Sequence, residues 1–164
     1  MAALHIRDAT PADGAALAAL YAPFVTDSWV SFETQAPDAA EMATRISSHG
    51  TSHGWVVAEL DGAVIGYAYA SPHRVRAAYA TSADIAIYVA PAAQGQGLGR
   101  ALYTALFDRL RSRSIHAVFA GIALPNPASI ALHEAMGLVP VGIYREVGWK
   151  LGGWRDVGWW QRLL

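Results

Sequence analysis

The run Gln94-Gly95-Gln96-Gly97-Leu98-Gly99 stands between an apolar stretch, residues 85–89, and a helical pattern through Ala101, Leu102, Ala105, Leu106 and Leu110. The first N–H groups of a helix have no partner within it and carry partial positive charge, and glycines let an anion approach them without a Cβ in the way. Three glycines at alternate positions at a strand-to-helix junction therefore suggest a backbone cradle for a pyrophosphate. A Walker A ending is missing, since Arg100 and Ala101 follow Gly99. The dinucleotide fingerprint fits poorly as well, because the loop lies mid-chain and residues 116–122 carry no acid. A tight strand-to-helix turn without any ligand accounts for the loop alone equally well.

The remaining reactive groups narrow the chemistry. There is no cysteine, which excludes disulfides, thiolate metal sites and a thiol nucleophile. His5, His49, His53, His73 and His116 show no ligand spacing with carboxylates, so no metal site is expected. Twelve Lys and Arg against thirteen Asp and Glu give a net charge of −1, too little positive charge for a nucleic-acid binder. No apolar run approaches the roughly 20 residues that span a bilayer, and residues 1–7 do not read as a signal peptide. A soluble cytoplasmic protein is expected.

The elements that must hold these groups follow from pattern. With 164 residues and 54% hydrophobic content, the chain suits one domain, residues 1–164. Residues 4–7 alternate as a first strand. Thr10-Pro11 opens a helix through residues 15–21 that Pro23 is expected to stop, and a second helix is expected from Pro37, with Met42 and Ile46 on one face. Residues 55–60 and 63–70 read as strands joined by Asp61-Gly62, the strongest hairpin signal in the chain. Residues 85–89 and 116–122 read as strands, and residues 126–136 as a helix closed by Gly137. Residues 139–147 and 156–163 complete the strands. Hairpins first, then strands alternating with helices, imply an α+β fold with a mixed central sheet flanked by helices.

Two spaced patterns resemble the GNAT superfamily of N-acetyltransferases: Gln94-x-x-Gly97-x-Gly99, and Asn126-x-x-Ser129-x-x-Leu132-His133-Glu134-x-x-Gly137. Three further stretches are similar to the phosphinothricin and methionine sulfoximine N-acetyltransferase family within it. These are residues 30–34, residues 79–89, and Lys150-x-Gly152-Gly153-Trp154-x-Asp156-Val157-x-x-Trp160, the most specific of the three. The resemblance implies the GNAT (acyl-CoA N-acyltransferase) fold, acetyl-CoA as cosubstrate and a small-molecule amine as acceptor, in a homodimer.

The resemblance also assigns residues. Ile87, Tyr88 and Val89 would run beside the pantetheine arm. Gln94, Gly95, Gln96, Gly97, Leu98, Gly99 and Arg100 would hold the pyrophosphate, with Asn126 and Ser129 flanking the thioester. The family pattern has a Glu four residues before the Tyr-Val pair as its base, and this chain has Asp84 there, one methylene shorter. His133 stands where the superfamily commonly has a Tyr, placed to relay a proton or hydrogen-bond the reacting groups. Arg74, Arg76 and Tyr79 would meet the acceptor's carboxylate, with Phe32 and Val157 lining its pocket. The implied reaction is acetyl transfer to the amine of an amino-acid-like acceptor, such as phosphinothricin or methionine sulfoximine, by direct attack in a ternary complex. A CoA-binding sensor or partner domain without activity is the alternative, as is acetylation of a protein N-terminus or a polyamine. Four of the six tryptophans lie in the last sixteen residues. Trp154 and Trp160 are expected to pack the last strands, beside the acceptor pocket or a subunit contact.

Overall fold

A computed structural model describes residues 3–164, so Met1 and Ala2, where the expected domain and the leader reading begin, lie outside the described residues. The chain runs β1 (Leu4–Asp8), α1 (Gly14–Thr26), α2 (Ala39–His49), β2 (Trp55–Leu60), β3 (Ala63–Pro72), β4 (Ser82–Val89), α3 (Leu98–Ser112), β5 (Ala117–Ala123), α4 (Pro127–Ala135), β6 (Val139–Lys150) and β7 (Gly153–Leu163). The strands form one sheet in the order β1-β2-β3-β4-β5-β7-β6. Every pairing is antiparallel except β4 with β5. This is the mixed, helix-flanked sheet expected from the sequence.

The sheet is covered on both faces, which explains why β2 reads as an unbroken apolar run instead of an alternating one. Val56 and Ala58 join Ala68, Ala83, Ile85 and the inner face of α3 in one buried cluster. Trp55 and Val57, pointing the other way, join Tyr67 and the inner faces of α1 and α2 in a second. The Asp61-Gly62 turn forms as expected, with both residues at positive φ (50° and 82°). A second turn of the same kind joins β6 to β7, with Leu151 at φ 50° and Gly152 at 73°.

Three expectations are corrected. Pro23 does not end α1, which continues to Thr26. Proline removes one backbone donor, but Val25 is buried beyond it and Asp27 N–H closes on the Pro23 carbonyl, so packing holds the last turn. The second helix starts at Ala39 rather than Pro37, because the Asp38 side chain caps it by accepting from Glu41 N–H at 2.8 Å. Trp154 is not a packing residue of this chain. It is 59% exposed, as is its cross-strand partner Trp149, and the two rings meet edge to face at 5.1 Å. Trp160 is buried as expected, its indole N–H donating to Glu134 Oε1 at 3.1 Å.

The feature that shapes the site is the seam between β4 and β5. Only Ser82–Ala117, Ala83–Val118 and Asp84–Phe119 pair across it. Beyond Asp84 the strands diverge, β4 staying with β3 and β5 with β7. The sheet thus opens as a fork directly after Asp84.

Candidate active site

Two cavities meet in this fork. One, about 50 Å³, is bounded by Tyr103, Ile122 and His133 from the α3–α4 face and by Val30, Tyr88 and Gly121 from the other. The second, about 630 Å³, opens on the α1–α2 face and contains Asp84, Tyr69, Phe32, Tyr144, Val157 and Trp159. Val30, Ile85, Tyr88, Gly121 and Ala123 line both. A molecule entering from one face can therefore meet one entering from the other. Along residues 85–89, alternate backbone groups point into the fork, away from β3, where no strand pairs with them.

Asp84 occupies the last paired position before the fork. Its Oδ1 accepts from His73 Nδ1–H at 2.5 Å. Burial pushes the carboxyl's pKa up, while the His73 hydrogen bond and nearby Arg74 pull it down, with an upward net shift. His73 itself is clamped: its ring stacks on Phe119 at 4.3 Å and meets Tyr79 and Trp159 edge-on. In the sequence His73 stands alone, with no carboxylate at ligand spacing and no partner in view. The contact is made by tertiary structure, because β3 and β4 return past each other and bring residues 73 and 84 together.

The glycines of the loop do two different jobs. Gly95 and Gly97 adopt φ 75° and 79°, and a Cβ at either would stand in open space. Gly97 caps α3, and the first backbone bond of that helix runs from Ala101 N–H to the Gly97 carbonyl. The N–H groups of Leu98, Gly99 and Arg100 precede the ladder, beside the open cradle. Gly99 instead permits helix packing, since a Cβ there would lie 2.8 Å from Leu132 of α4. Gln94 and Gln96 spend their side chains on the loop itself, donating to the Val89 and Ala92 carbonyls. Arg100 faces another open cavity, shared with Thr104, Gly137 and Arg162.

On α4, Asn126 caps the helix by accepting from Ser129 N–H at 3.2 Å. His133 sits one turn after Ser129, and its Nδ1–H donates to the Ser129 carbonyl at 2.7 Å. Its Nε2 accepts from the Tyr103 hydroxyl at 2.7 Å. Burial lowers the His133 pKa, so the ring is neutral with the proton on Nδ1. Both nitrogens are thus engaged inside the protein while the ring borders the smaller cavity.

Of the residues expected around the acceptor, Phe32 and Val157 line the larger cavity, whereas Arg74, Arg76 and Tyr79 do not. Arg74 folds back to donate to the His73 carbonyl. The segment carrying Phe32 is tied down from below. Buried Lys150 donates to the Ser31 and Glu33 carbonyls at 2.7 and 2.5 Å. Glu33 accepts two bonds from Arg45 and one from the Tyr21 hydroxyl. Gly148 leaves no room for a side chain beneath the Phe32 ring. Tyr69, Tyr144 and Trp159 also line this cavity but carry no signal in the sequence, because all three lie on strands, where an aromatic residue reads as core.

The model of the "Acetyltransferase (GNAT) family" matches residues 18–138. The chain belongs to the GNAT family of acetyltransferases. A phosphinothricin N-acetyltransferase of Streptomyces coelicolor is 39% identical over 167 residues, covering 99% of this chain and 98% of its own. An L-methionine sulfoximine/L-methionine sulfone acetyltransferase of Salmonella typhimurium is 38% identical over 109 residues, 66% of this chain and 64% of its own. A phosphinothricin acetyltransferase from Sinorhizobium meliloti, solved in complex with acetyl-CoA, superposes with a TM-score of 0.93 at 39% identity, covering 98% of this chain and 88% of its own.

The protein is accordingly an N-acetyltransferase with acetyl-CoA as its cosubstrate. The residues present fit that molecule: an open glycine cradle at a helix N-terminus for a pyrophosphate, and a fork with free strand edges for an extended arm.

Proposed function

We propose that this acetyltransferase acetylates the amine of a small amino-acid-like acceptor, such as phosphinothricin or methionine sulfoximine, by direct attack in a ternary complex. The observation that carries the proposal is that two cavities from opposite faces meet at the fork, with the Asp84 carboxylate on the wall of the larger one. The named relatives supply the acceptor class. When bound, acetyl-CoA supplies the activated acetyl group. The N–H groups of Leu98, Gly99 and Arg100, above Gly95 and Gly97, hold the pyrophosphate, and the fork-facing edges of Ile87, Tyr88 and Val89 hold the arm.

Asp84 takes the proton of the acceptor's ammonium, directly or through one water, and leaves the neutral amine that attacks the acetyl carbonyl; the C–S bond breaks, and the nitrogen's second proton goes to the departing thiolate, so that CoA leaves as its thiol. His133 and Asn126 border the thioester side. With both ring nitrogens engaged inside the protein, His133 serves this side by position, holding the Ser129 carbonyl and the Tyr103 hydroxyl at the wall of the smaller cavity. Phe32 and Val157 shape the acceptor cavity. Arg74, Arg76 and Tyr79 reach the acceptor from outside its lining, Arg74 after releasing the His73 carbonyl.

The functional unit is a homodimer. Val139, Val141 and Ile143 lie on the edge strand β6, each roughly half exposed or more, and Trp149 and Trp154 extend the apolar surface at the hairpin tip. Such a surface is larger than scattered apolar residues on a monomer require. No helix among the described residues is long and apolar enough to cross a membrane. We place the enzyme in the cytoplasm, where its cosubstrate is available.

A panel of amino acids, phosphinothricin, methionine sulfoximine, polyamines and N-terminal peptides, each tested with acetyl-CoA, checks the reading. N-acetylated product from the two named analogues is expected. Acetyl-CoA binding with no turnover across the panel, or turnover confined to peptides or polyamines, would refute it.

A further inference from the structure

We infer that His73 is a positioning residue for the acetyl transfer, its Nδ1–H fixing the Asp84 carboxylate so that the second carboxylate oxygen is presented to the acceptor amine. The inference rests on the reading of Asp84 as the base.

Four observations carry it. Among the described residues, His73 is the single side chain that bonds Asp84, and it does so through Oδ1. Asp84 stands at the rim of the acceptor cavity, immediately before the sheet divides. Such a carboxylate can turn about two side-chain bonds, and proton abstraction tolerates little misplacement. The ring of His73 cannot turn with it, because Phe119 stacks on one face while Tyr79 and Trp159 stand at its edges. Phe119 is also the register partner of Asp84, so the clamp and the carboxylate are mounted on the same pair of backbone positions.

The electrostatics agree. Burial favours protonated Asp84, and His73 opposes it. Arg74, from the segment after β3, acts in the same sense as His73. From the strands, Tyr69 and Tyr88 line the cavity with Asp84, and burial raises the pKa of both, leaving them uncharged. Glu33 of the same cavity is neutralised by Arg45. Trp159 from β7 and Tyr79 meet the His73 ring edge-on.

The test uses full-length enzyme with acetyl-CoA and phosphinothricin. His73→Phe keeps an aromatic ring for the stack on Phe119 and removes the donor. His73→Asn keeps a donor close to the place of Nδ1. His73→Phe is expected to lower kcat about 10- to 100-fold, the range of one hydrogen bond to a charged group. It should also move the acidic limb of the kcat/KM profile to higher pH while KM for acetyl-CoA stays unchanged. His73→Asn should recover most of the rate and return the limb. Adding His73→Phe to Asp84→Asn should lower kcat far less than it does in the parent enzyme, because the two residues act as one unit. Wild-type kcat and an unmoved limb in His73→Phe, with Asp84→Asn inactive, would overturn the role of His73 alone. Equal losses in the Phe and Asn variants with an unmoved limb would do the same, marking a packing role. Full turnover in Asp84→Asn would remove the base reading itself.

Discussion

Asp84 shows how a single carboxylate is tuned by its place in the sheet. Half-burial at the fork raises its pKa, and only the ionised form can accept a proton. Turnover is therefore expected to fall as pH drops through that raised value, and a kcat/KM profile will show an acidic limb displaced upward from the ordinary aspartate value. Asp84→Asn should lower kcat by about 10²- to 10⁴-fold, the usual contribution of a positioned base, with acetyl-CoA affinity nearly intact by calorimetry. His133 makes a different prediction. Replacing it with Phe leaves the Tyr103 hydroxyl in a closed interior without its acceptor, which costs about 1–3 kcal/mol and will show in a denaturant melt. At this scale Asp84, His133 and the glycines could be found from sequence, because each sits in a spaced motif. His73 could not, since its meaning depends on a partner eleven positions away that only the β3–β4 register brings close.

Among the elements, the glycine loop and the segment beneath Phe32 each carry a prediction. Gly97→Val would force a branched side chain into a left-handed φ and set it in the open cradle, so acetyl-CoA binding should weaken at least about tenfold. Gly99→Ala should act chiefly on stability instead. Its Cβ would press on Leu132, and overpacking of this kind costs about 1–3 kcal/mol. Titration calorimetry and thermal melts on both variants separate the two roles. Glu33 has its pKa lowered, first by its hydrogen bond to Arg45, then by Tyr21 and the charges around it, against the opposing effect of burial. Its stabilising effect is thus present above the unfolded value of about 4.3 and lost as pH falls through the depressed folded value. Glu33→Gln should remove that dependence and raise KM for the acceptor, because the backbone of Phe32 loses part of its anchor. Local chemistry explains which elements were legible: Asp61-Gly62 and Gly137 need only their own φ angles. The end of α1 was not legible, because burial of Val25 outweighs one lost hydrogen bond at Pro23.

For the molecule as a whole, alternating hairpins and helices were sufficient to anticipate a mixed sheet, but not which tryptophans it would cover. Trp149, Trp154, Trp159 and Trp160 are the same residue type in one hairpin, yet only Trp160 lies in the core cluster. Position relative to the covering helices decides this, and composition carries no trace of it. If the uncovered part meets a second copy, Val141→Asp should shift the mass in light scattering from dimer to monomer.

The three-pair seam has a mechanical consequence. β1–β4 and β5–β7 are two plates joined along a very short hinge, with the helices as braces. A cosubstrate lodged in the hinge would stiffen the whole body, not merely occupy a pocket. Deuterium uptake should slow along residues 85–89 and 120–123 together when acetyl-CoA is added. At a hundredfold excess over its dissociation constant, melting should become harder by about 2.7 kcal/mol.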